Sequence, residues 1–139
     1  MELKELKKNY DELAKKNKLP SFSVLNENFE IDKIEKETDY LLRLIRKIIM
    51  EKIVNSIGFF DMLMNPVGAP RMYLNYIRTI SIDDKKIIEN AYDKLTLLSF
   101  KSLDLEIDYS EKREAELIKL IFQEWTSLKP DFRKILSNI

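Results

Sequence analysis

The chain has 139 residues, enough for one domain and too few for two ordinary ones. Its 24 basic and 24 acidic residues cancel, which argues against a protein gripping nucleic acid through many phosphates; no polybasic membrane tail or long acidic tail is present. Cysteine and histidine are both absent, which excludes disulfides, thiol nucleophiles, His-dependent triads and thiolate or imidazole metal sites, and leaves proton transfer to carboxylates, lysine or tyrosine.

From the N-terminus, Leu3, Leu6, Tyr10 and Leu13 recur at steps of three and four, which predicts a first helix over residues 2–17. Its narrow apolar seam is expected to reach a neighbouring molecule, giving a homodimer, and Pro20 stops it. Residues 21–28 read as a loop or one helical turn capped by Ser21. Phe29 and Ile31, alternating with Glu30 and Asp32, give a weak strand signal.

A long helix is predicted over residues 32–65. One seam holds Ile34, Thr38, Leu41, Ile45 and Ile48, and a second beside it holds Leu42, Ile49, Ile53 and Phe60. A helix apolar over most of its circumference belongs at the centre of a fold. Gly58 inside it suggests a bend or a close helix crossing. Residues 65–70, with Pro66, Gly68 and Pro70, form the clearest loop, followed by a short helix over 70–80. Ser81 caps a fourth helix running to about Leu105 and then an extended link, because Leu103, Leu105, Ile107 and Tyr109 fit a period of two as well as helical steps. Asp108 with Glu111 resembles a capping box for a fifth helix that ends at Lys129-Pro130 and is followed by a final turn or two.

The tract Glu-Thr-Asp-Tyr-Leu-Leu-Arg at 37–43 and Glu-Lys-Arg-Glu-Ala-Glu at 111–116 resemble segments of small, uncharacterised helical proteins found in archaeal genomes. That resemblance covers a minor part of the chain. It implies a helical fold and transfers no activity and no functional residue.

Three polar groups are candidates for function. Asp104, Glu106 and Asp108 share a face if their segment is extended, and oxygen ligands suit Mg²⁺ or Ca²⁺; a solvated face with a helix cap is the favoured explanation. A Glu27-x-x-Glu30 pair lacks the second acidic pair that helical nucleotide pyrophosphohydrolases use, so that reading is rejected. Arg43, Arg46 and Lys47 stand at i, i+3 and i+4 as a basic strip able to bind phosphate, against the alternative of a polar helix edge paired locally as Asp39–Arg43 and Lys47–Glu51. Arg71, Asn75 and Arg78 lie at i, i+4 and i+7 on the short helix beside the Pro-rich loop; the favoured explanation is the exposed face of an amphipathic helix that buries Met72, Tyr73, Tyr76, Ile77 and Ile80, against the alternative of a displayed recognition row. Phe59, Phe60, Phe100, Phe122 and Trp125 are expected in the core. No Gly-rich phosphate loop, Rossmann fingerprint or Walker sequence is present.

The sequence therefore predicts one all-α domain over residues 1–139, a compact bundle of about five helices, mostly antiparallel, around one long central helix. No metal or cofactor is expected. The expected function is a non-catalytic helical interaction or scaffold protein binding another protein or its own copy. The alternative is a nucleic-acid-associated protein using Arg43, Arg46 and Lys47 or Arg71 and Arg78. Arg43, Arg46, Lys47, Glu51 and Lys52 interrupt the 40–57 stretch, so no membrane span is expected, and a cytoplasmic location is the default.

Overall fold

The computed structural model describes residues 2–35 and 39–138. The all-α expectation holds, with six α-helices among these residues: α1 (Leu3–Asn17), α2 (Phe22–Phe29), α3 (Leu41–Met64), α4 (Arg71–Thr79), α5 (Ile82–Ile107) and α6 (Glu111–Ser137). The additional element is α2. Ser21 does cap it, accepting from the Val24 amide at 3.3 Å, but burial of Phe22, Leu25 and Phe29 extends one turn into two. The suspected strand at Phe29 and Ile31 is the end of α2 and a 3-10 turn over Ile31–Lys33.

α3 starts at Leu41, nine residues later than the periodicity suggested. Ile34 is buried from outside the helix, and Thr38 lies outside the described residues. Ile45, Ile49 and Ile53 have no exposure at all, and each such side chain contributes about 1.5–3 kcal/mol of apolar burial. Gly58 marks no close crossing, since an added Cβ would meet nothing within 4 Å.

α3, α5 and α6 form the centre, each packed on the other two. Their mutual directions follow from their contacts. Arg46 meets Glu114 near the starts of α3 and α6, and Phe60 meets Phe132 near their ends, so these two run parallel. Arg46 also meets Ser102 and Glu106 near the end of α5, which therefore runs against α3. The expectation of mostly antiparallel neighbours holds for α5 and fails for the α3–α6 pair, which α5 separates in sequence.

Two boundaries differ for physical reasons. α6 continues through Pro130 to Ser137, although proline has no N–H to bond the Thr126 carbonyl. Leu128, Phe132 and Ile135 are buried beyond it, and that burial outweighs the lost hydrogen bond. α6 is capped by Ser110, which accepts from the Arg113 amide at 3.3 Å, and not by Asp108. The α1 seam is filled within the chain: Leu6 and Tyr10 are fully buried, and the Tyr10 hydroxyl donates to the Pro20 carbonyl at 2.6 Å. Leu3 of the same seam stays exposed, and Leu13 is half-buried. Asn28 ties α2 down, its carbonyl accepting from Lys52 Nζ at 2.6 Å and its Oδ1 from Lys129 Nζ at 3.1 Å. Among the described residues, no helix is long and apolar enough to cross a membrane.

Candidate interaction surface

The basic strip of α3 is dismantled by the fold. Arg46 is 2% exposed and Glu114 fully buried. Arg46 donates through Nε to Glu114 Oε1 at 2.7 Å, through Nη1 to Ser102 Oγ at 2.5 Å and through Nη2 to Glu106 Oε1 at 2.6 Å. Arg43 donates to the other Glu106 oxygen at 2.7 Å and lies over the Tyr109 ring at 5.6 Å. Lys47 is the member of the trio left exposed. Helical spacing placed the arginines on one side of α3 correctly. It gave no warning that α5 and α6 would bring carboxylates against that side.

Two guanidinium groups hold the Glu106 carboxyl far below its usual range, at about 2, chiefly through the hydrogen bonds from Arg46 and then Arg43. Glu114 moves the other way: burial pushes its carboxyl up, against the opposing pull of Arg46. Glu114 Oε2 is buried without a partner. Shifts of opposite sign on neighbouring carboxyls are a known mark of acid–base sites. Here Arg46 and Glu114 are buried while Arg43 and Glu106 are part-exposed at the edge, and the cluster ties α3, α5 and α6 together.

The acidic trio is likewise dispersed. Glu106 turns inward to the arginines, while Asp104 and Asp108 pair with Arg113. Among the described residues, no group of three or more acids is placed to hold a metal ion.

Arg71, Asn75 and Arg78 are all exposed on α4, and none of them makes an ion pair or side-chain hydrogen bond among the described residues. α4 buries only Ile77, leaving Met72 and Tyr76 open to solvent beside the polar row. The row is exposed, and no ion pair among the described residues neutralises it.

The surface that sequence reasoning missed is the outer face of α5. Its inner face is buried through Ile88, Ala91, Leu95, Leu98, Ser102 and Leu105. On the opposite side Leu97, Phe100, Leu103 and Ile107 follow one another at helical steps, and they are 55–80% exposed. Phe100, expected in the core, is therefore outside it. This second seam explains the ambiguous alternation at 103–109: Leu105 points inward while Leu103 and Ile107 point outward on the same helix. The signal was legible, since a helix apolar on two sides needs two partners, and only one side is covered here.

No protein-family model, curated protein or solved structure matches this chain. The surfaces themselves carry the functional argument.

Proposed function

We propose that this chain is a non-catalytic helical interaction protein that docks a second copy of itself on the outer seam of α5. The exposed row Leu97, Phe100, Leu103 and Ile107 carries the reading, because scattered surface hydrophobics are ordinary but four in line at helical spacing form a continuous stripe. A two-fold antiparallel contact sets Leu97 opposite Ile107 and Phe100 opposite Leu103 of the other copy, so the row is self-complementary and its burial supplies the driving force.

The nucleic-acid reading rests on Arg71 and Arg78 alone, because carboxylates inside the fold neutralise Arg43 and Arg46. Light scattering across a concentration series tests the main reading. The unaltered chain is expected to pass from monomer to dimer, and Phe100→Glu with Leu103→Glu is expected to stay monomeric with an unchanged helical spectrum. A chain that remains monomeric at the highest attainable concentration overturns the proposal.

A further inference from the structure

We propose that the groove between the C-terminal halves of α3 and α6 binds a small amphiphilic anion: an apolar tail or ring bearing one carboxylate. The groove encloses about 390 Å³, within the roughly 300–1,000 Å³ usual for small-ligand sites. Its apolar walls come from Phe59 and Phe60 on α3 and from Trp125, Phe132 and Leu136 on α6. The ring of Phe60 lies 4.7 Å from that of Phe132, and Phe132 meets Trp125 edge-on at 5.5 Å. These rings fix the shape of the wall.

The charge at this groove is one-sided. Lys52, Lys129 and Arg133 line it, and no lining residue is acidic. In a chain whose acids and bases are equal in number, three cations gathered without a carboxylate are a local excess. None of the three makes an ion pair among the described residues. Lys52 stands 5.5 Å from the Trp125 ring centroid, and Lys129 reaches Asn28 Oδ1, so both ammonium groups are held beside the apolar wall by neutral partners. Arg43, Arg46 and Arg113 show the alternative arrangement, each held by a glutamate or aspartate within the fold. A carboxylate brought by a ligand completes the same pairing here while its apolar part covers the rings.

A neutral apolar ligand leaves the cations unmatched, and a cationic amphiphile is repelled by them. The head-group charge is therefore the discriminating property. Nothing in the inference depends on the α5 seam, which lies on a different helix.

Trp125 is the single tryptophan of the chain and lines the groove, so its fluorescence reports occupancy directly. The protein is titrated with decanoate and, separately, with decylammonium, while circular dichroism is followed along each titration. Decanoate is expected to shift the Trp125 emission saturably with an unchanged helical spectrum, and decylammonium to leave the emission unchanged. Arg133→Glu is expected to weaken decanoate about tenfold by placing a like charge at the rim. Leu136→Glu, which puts an acid into the apolar wall, is expected to abolish the response. Both positions are exposed, so the variants should retain their melting temperatures. Calorimetry supplies a second readout of binding. An absent response, an equal response to decylammonium, undiminished binding by both variants, or loss of helicity during the shift would each overturn the proposal.

Discussion

The parallel pair α3–α6 is joined by charge at its starts and by aromatic rings at its ends. Near the starts, Arg46 bonds Glu114 within a cluster completed by Ser102, Glu106 and Arg43. Toward the ends, Phe132 packs against both Phe60 and Trp125, tilted to the first and edge-on to the second, with no polar bond among them. The two regions differ in tolerance. Ion pairs withdrawn from water demand every partner in place, since a charge left alone there is costly, whereas packed rings lose contact area by degrees. They differ in access too: the Arg46–Glu114 pair is closed to water with Glu106 and Arg43 part-exposed at its edge, and the aromatic region is left open as a groove.

The sharpest way to break this contrast is Arg46→Met, which keeps the side-chain bulk and removes the charge. It is expected to destabilise the fold by about 3–5 kcal/mol, because Glu114 is then buried without its partner. Adding Glu114→Gln should recover part of that loss by removing the orphaned charge. Denaturant unfolding of the single and double variants measures both steps; a double variant no more stable than the single one would show that Arg46 acts through packing alone.

Phe132→Ala probes the aromatic end. A loss of about 3 kcal/mol is expected, at the lower edge of aromatic truncations, because Phe132 borders an open groove in which neighbouring rings can resettle. A loss equal to that of Arg46→Met would erase the difference in tolerance between the two ends.

Acid sharpens the comparison with a smaller effect. The folded protein holds Glu106 at about 2, below its ordinary 4.5, so the stability it contributes is complete above about 4.5 and is lost as pH falls toward 2. Glu114 acts in the opposite sense, because its raised folded value makes protonation easier in the native state than in the unfolded chain. The melting temperature should therefore fall between pH 4.5 and 2, and Glu106→Gln should flatten that part of the curve. An identical acid profile in the variant would remove Glu106 from the account. The aromatic end holds no carboxylate of this kind, and Phe132→Ala should leave the acid profile unchanged in shape.

Reading order along the chain shows why some features were legible and others were not. Ser21 and Ser81 announced two helix starts, since a cap is a bond between residues three apart. Asn65-Pro66 ended α3 and Pro70 preceded α4 for equally local reasons. Periodicity likewise found the buried faces of α1 and α3. The same local logic misjudged Pro130, which remains inside α6 because Phe132 and Ile135 find partners beyond it. It misjudged Phe100 as well, because a ring on an amphipathic segment does not reveal which of two apolar faces is covered.

By itself the sequence determined that the protein is helical, where most helices begin, and which chemistries are closed to it for want of cysteine and histidine. Only the tertiary structure decided that Arg46 is a buried structural cation, that the outer side of α5 is left bare, and that three cations surround an apolar groove. The physical reason is the range of the interactions. Caps and helical faces are set by residues within four positions of one another, whereas the fate of Arg46 depended on Glu114, 68 residues away, arriving at the same place.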